Sequence, residues 1–134
     1  MDDGAKELGL TRIGQICVTV LDLDKAMVFY RDILGMKFLF QVPNMVFFDC
    51  DGVRLMLGVA EKPELHHPPS ILYYKVQDIQ AAHATLVERG VSFDQQPLLA
   101  HKAEDHDLWL AFFRDMDGNL LALMSEVGRG SASS

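Results

Sequence analysis

Cysteine and proline are both scarce in this sequence: two cysteines, Cys17 and Cys50, and five prolines among 134 residues. The two thiols sit in apolar, strand-like runs and lack metal-type spacing. This points to reduced thiols in a cytoplasmic protein rather than a disulfide framework. Basic residues are the rarer charge, 12 Lys and Arg against 19 Asp and Glu, for a net −7. An acidic balance excludes a basic nucleic-acid footprint, because it repels phosphate backbones, and it suits a domain kept in solution. No apolar run nears the roughly 18 residues of a membrane span, so no membrane partner is expected. The polar start, Met1 to Lys6, lacks the basic-then-apolar order of a secretory signal. GxxxxGK[ST], GxGxxG, CxxC and HExxH are all absent, and Gly4, Gly9 and Gly14 are too scattered to cradle a phosphate.

What is present is an apolar share of 49%, enough for one buried core, and an internal repeat. Val20-Leu21-Asp22-Leu23-Asp24-Lys25-Ala26 matches Val76-Gln77-Asp78-Ile79-Gln80-Ala81-Ala82 at an offset of 56. Each copy closes a strand and opens a helix, with Asp22 or Asp24, and Asp78, placed to accept first-turn amides. The first helix is expected to bury Ala26, Met27, Tyr30, Ile33 and Leu34 and to stop at Gly35. The second is expected to bury Ile79, Ala82 and Leu86 and to stop at Gly90. Apolar strands are predicted after each glycine, over residues 36–40 and 91–93. Asp51-Gly52-Val53 matches Asp117-Gly118-Asn119 at an offset of 66, and each Asp-Gly predicts a hairpin.

The order is strand, helix, three strands, performed twice. The fold class is therefore α+β, with two tandem βαβββ modules forming a curved mixed sheet around a concave cleft. Module one covers about 11–60, a linker rich in proline and histidine about 61–69, module two about 70–126, and a disordered tail about 127–134. The growth of the offset gives module two about ten extra residues, which are expected near 95–107, in a loop holding His101 and His106.

The pattern from Val20 to Met36 and the turn Phe112-Phe113-Arg114-Asp115-Met116-Asp117-Gly118-Asn119 resemble the glyoxalase/bleomycin-resistance (vicinal oxygen chelate) superfamily. In that turn, methionine stands where the family has proline. The resemblance spans about 13–126 and implies the paired-module fold, a small-molecule ligand and a homodimer. Its members include glyoxalase I, ring-cleaving dioxygenases, an epimerase, fosfomycin-resistance enzymes and metal-free proteins that sequester antibiotics. Metal-dependent members draw His or Gln from the first strand of each module and Glu from the last. Carried over, those positions fall on Gln15, Ile71, Met56 and Ala122. One amide oxygen with isoleucine, methionine and alanine gives no divalent-metal site, so no metal and no cofactor are expected. The alternative is one divalent ion at a rearranged site.

If Gln15 faces the cleft, alternation brings Cys17 with it, Arg54 beside Met56, Tyr73 and Lys75 beside Ile71, and Leu120 and Met124 beside Ala122. This is an apolar cup with a few polar points. Gln15 either meets a ligand or bonds nearby backbone. Arg54 either grips an anion or pairs with Asp49 across the hairpin, with the internal pair slightly favoured. Cys17 is expected to be an inert buried thiol. Trp109 is either core or an aromatic wall of the cleft, with core the safer reading. His101 and His106, with their neighbouring acids and with His66 and His67 of the linker as further candidates, are read as a general base or a replacement metal site, set against the reading of solvated loop residues. Three functions follow. The first is metal-free binding of a small hydrophobic or aromatic molecule. The second is a lyase, isomerase or dioxygenase built on His101 and His106. The third is a non-catalytic partner domain.

Overall fold

Both helices begin on an aspartate, and each aspartate does the same work. Asp22 Oδ1 accepts from the Lys25 amide at 3.1 Å, and Asp78 Oδ1 from the Ala81 amide at 3.0 Å. The two glycine stops behave alike too, with Gly35 at φ 75° and Gly90 at φ 90°, a region where a Cβ is strained. A computed structural model describes residues 9–60 and 69–128, and in it the chain runs as two βαβββ modules. Module one is β1 (Gln15–Val20), α1 (Leu23–Met27, continued by a wide π-helical turn Val28–Ile33), β2 (Lys37–Val42), β3 (Met45–Cys50) and β4 (Val53–Val59). Module two is β5 (Leu72–Lys75), α2 (Ile79–Glu88), β6 (Leu98–Lys102), β7 (His106–Arg114) and β8 (Leu120–Gly128).

Each module forms a four-stranded mixed sheet, ordered β1-β4-β3-β2 and β5-β8-β7-β6. The outer pair is parallel in both. Ile16 lies opposite Leu55 and Leu72 opposite Leu121, so the copies share one register once ten residues are allowed for. The fold is thus the expected α+β pair of modules.

Alternation gives every strand a helix side and an open side. Val18, Val20, Val46, Phe48, Leu55, Leu57, Ala111, Phe113, Leu121 and Leu123 of the two sheets join Met27, Phe29 and Tyr30 of α1 and Ile79 and Leu86 of α2 in one core. Tyr30, Phe48 and Phe113 are its largest fully buried side chains. Ile33, Leu34 and Ala82 are half-buried against it. Phe29 is also buried, because the wide turn, closed by Leu34 N–H donating to Phe29 O, rotates it inward.

The modules are stapled by polar bonds. The Tyr30 hydroxyl donates to Asp115 Oδ2 at 2.8 Å, the Leu21 amide to Asp117 Oδ2 at 2.9 Å, and Arg89 Nη1 to Ile33 O at 2.7 Å. Asp115, 6% exposed, also accepts from the amides of Asp117 and Asn119 and from Asn119 Nδ2.

Several expectations need correction. Residues 91–93 are not a strand. Val91 plugs into the core, Phe93 makes a single bridge to Phe113, and the strand that follows the helix is Leu98–Lys102. The extra length is accordingly divided between the run before β6 and a longer β7 with its turn to β8. The Asp51-Gly52 hairpin is the tight two-residue turn expected, both residues at positive φ. The second Asp-Gly instead lies in a five-residue turn organised by Asp115, with Arg114 and Leu120 its flanking pair. Strand β8 continues to Gly128, past the point where a disordered tail was expected to begin. Most of the linker, with His66 and His67, lies outside the described residues.

Candidate functional site

On the open side of the first sheet, Gln15, Cys17 and Arg54 are exposed, Met56 is half-buried, and Phe47 is nearly covered. Cys17 sits opposite Met56, and Gln15 opposite Arg54. Gln15 Nε2 lies 3.9 Å from Met56 Sδ, a weak acceptor. The Arg54 guanidinium does not pair with Asp49, although the two residues are cross-strand neighbours. It lies 5.9 Å and 5.8 Å from the ring centroids of Phe40 and Phe47, which are themselves stacked at 4.4 Å. Asp49 Oδ1 instead accepts from the Gly52 amide, closing the hairpin. A flat cation gains more from two ring faces than from a carboxylate already engaged by its own turn.

Cys17 is exposed rather than buried, so that expectation is corrected. Partial desolvation still raises its thiol above the ordinary range. Cys50 is raised as well, by burial first and by Asp49 second. Neither thiol is poised as a nucleophile.

On the open side of the second sheet, Ile71 and Tyr73 are exposed, and Ala122 is buried beneath its neighbours. Tyr73 pairs with Ala122 just as Cys17 pairs with Met56, and its ring meets Phe112 edge-on at 5.9 Å. Trp109 falls on the helix side, packed against the core.

His101 and His106 are on strands, not in a loop. His101 lies opposite Leu108 in β6, and His106 opens β7. His106 Nδ1 is 2.8 Å from Asp105 Oδ1 and its Nε2 is 3.6 Å from Glu126 Oε2; Glu126 also holds Lys75 at 3.2 Å. Among the described residues no group of three His, Cys, Asp or Glu side chains could hold a metal ion.

A cavity of about 1000 Å³ lies on the helix side, between the modules. Ile16 and Leu55 of the first sheet, Leu72 and Leu123 of the second, and Thr85 and Leu86 of α2 line it. Of the residues expected to line a cleft, Tyr73 and Lys75 reach this space. Sequence reasoning missed the cavity because it depends on how the two modules sit together. The signal available was the loss of bulk on α2 relative to α1.

The Glyoxalase/Bleomycin resistance protein/Dioxygenase superfamily model matches residues 12–123. Among solved structures, a glyoxalase/bleomycin resistance protein/dioxygenase from Nocardioides aligns at a TM-score of 0.71 with 21% identity, covering 98% of this chain and 94% of its own. A superfamily member from Sphaerobacter thermophilus aligns at 0.68 with 27% identity, covering 89% and 100%. One from Alicyclobacillus acidocaldarius aligns at 0.67 with 20% identity, covering 87% and 92%.

Proposed function

This chain belongs to the Glyoxalase/Bleomycin resistance protein/Dioxygenase superfamily, and from that premise we propose that it binds a small hydrophobic or aromatic molecule on the open side of its sheets, without a metal ion. The observation that carries this reading is the donor set. The four positions that would supply metal ligands hold Gln15, Met56, Ile71 and Ala122. The one amide among them sits against a thioether rather than a second hard donor. Such a set does not fit a divalent ion. What surrounds it suits a ring or an acyl chain: Phe40 and Phe47 under the Arg54 guanidinium, Tyr73 against Phe112, and Met56 as an adaptable thioether.

Phe40, Val42, Ile71 and Tyr73 each expose more than a third of their surface on these sheets. A second copy covering them gives the homodimer this reading includes, with the ligand held between facing sheets. The acidic balance, −7, argues against nucleic acid and anionic membrane as partners in the cytoplasm.

The test is metal content per chain in untagged protein, before and after soaking in Zn²⁺, Ni²⁺, Mn²⁺ and Fe²⁺. Values near zero throughout are expected, and a value near one per chain overturns the reading. Light scattering is expected to give twice 15.0 kDa, and Tyr73→Asp to halve it.

One observation favours a second reading, an enzyme. Asp105 orients the His106 imidazole while Glu126 stands at its other nitrogen, an arrangement that suits a general base. Its test is turnover by a His101→Ala/His106→Ala double variant, which must lose activity if the histidines carry it.

A further inference from the structure

The repeat makes module one a reference for module two, and the comparison isolates one region. Fifty-six residues before Thr85 and Leu86 stand Phe29 and Tyr30, which are 7% and 1% exposed. Where α1 fills its surroundings with two aromatic rings, α2 offers a hydroxyl-bearing stub and a leucine, and the cavity of about 1000 Å³ opens beside them. A second difference points to the same place. The counterpart of Val18 in module two is Tyr74, which lines the cavity, and its hydroxyl is buried with no hydrogen-bond partner. An unpartnered buried hydroxyl forfeits its hydration with nothing in return, so native structures seldom retain one without an occupant to satisfy it.

We propose that this inter-module cavity is a second small-molecule site, for a mainly apolar aromatic compound carrying one hydrogen-bond acceptor that takes the Tyr74 hydroxyl. The walls supply the apolar body's contacts through Ile16, Leu55, Leu72 and Leu123. Lys37 and Arg89 at the rim favour an anionic acceptor such as a carboxylate or sulfonate, while Asp49 and Asp51 nearby keep the rim from being a bare cation patch. Burial holds the Tyr74 phenol well above its ordinary range, so it donates. The size lies at the upper end of ligand pockets, room for a two- or three-ring compound. The site is on the opposite side of the sheets from the open-face reading and stands or falls independently of it.

The probe is 1-anilinonaphthalene-8-sulfonate, two linked aromatic systems with one anionic acceptor, followed by fluorescence and by methyl NMR on the native protein. Intermolecular NOEs to the Leu72, Leu86 and Leu123 methyls are expected. Thr85→Phe, which restores the module-one residue, is expected to weaken binding by at least about tenfold. Tyr74→Phe is expected to weaken it about three- to tenfold, the worth of one hydrogen bond, with the NOEs retained. Both variants keep a side chain that the fold already accommodates at the equivalent position or in the same shape. NOEs confined to Leu110 and Met124 on the open side, unchanged affinity in Thr85→Phe, or no binding at all would overturn the proposal.

Discussion

Removing the Tyr30 hydroxyl tests how the modules are held together. Tyr30 is 1% exposed and donates at 2.8 Å to Asp115, a carboxylate that is itself 6% exposed. A hydrogen bond to a charged acceptor contributes about 1.5–3 kcal/mol. Asp115 keeps three further donors, from Asp117 and Asn119, so the Tyr30→Phe loss belongs at the lower end, about 1.5–2 kcal/mol. With a urea slope of about 2 kcal/mol per molar, the unfolding midpoint falls by about 0.8–1 M with the slope unchanged. Asp115→Ala does more, about 3 kcal/mol or above, because it strands a buried phenol and two turn amides. The assay is urea unfolding by circular dichroism on both single variants and the double. A positive coupling of about 1–2 kcal/mol is expected, since each change removes the same bond. A Tyr30→Phe midpoint within about 0.2 M of the parent, or strictly additive losses, would refute the stapling role.

Alkaline pH should unfold the protein through its phenols. Burial, before any neighbouring charge, raises Tyr30 and Tyr74 far above the unfolded value near 10. A raised folded value gives stability that is complete below the unfolded pKa and lost as pH climbs past it, by about 1.4 kcal/mol per pH unit for each phenol. Absorbance at 295 nm should show these two ionising together with unfolding, and Tyr30→Phe should flatten the loss; ionisation of more than one of the three tyrosines in folded protein would contradict the burial, since Tyr73 is exposed. With a chromogenic disulfide at pH 8, Cys17 is expected to react before the half-buried Cys50, and both more slowly than a free peptide thiol. Gly90→Ala should cost about 1 kcal/mol in thermal or urea unfolding, since its φ of 90° is strained for any side chain, although nothing crowds the added methyl.

The features legible in the sequence were local ones. Asp22 and Asp78 cap helices, Gly35 and Gly90 end them, Asp51-Gly52 turns a hairpin, and the repeat offsets set the strand pairings, because each depends on a few adjacent residues and backbone sterics. What escaped depends on distant geometry. The strand after α2 lies later than the apolar run predicts, because Val91 is an anchor into the core and not the start of a ladder. The Asp49 partner favoured for Arg54 is not met, because the stacked Phe40 and Phe47 beneath it come together only across a bulge in β2. Face alternation correctly grouped Gln15, Cys17, Arg54 and Met56, but it could not show that the enclosed space lies on the other side.

The matching registers of the two sheets have a consequence for how this scaffold can change. Cys17 with Met56 and Tyr73 with Ala122 are the same pair drawn twice, on the side of each strand that the core does not use. Chemistry written there is separable from folding. An engineer who introduced glutamates at Met56 and Ala122 and histidine at Ile71, beside the existing Gln15, would be editing three side chains, of which only Ala122 is fully buried, while their strand neighbours Leu55, Leu57, Leu72, Leu121 and Leu123 stay in place to hold the fold. Gain of a metal, and with it a new reaction class, is then a matter of a few substitutions on a surface whose shape is already set.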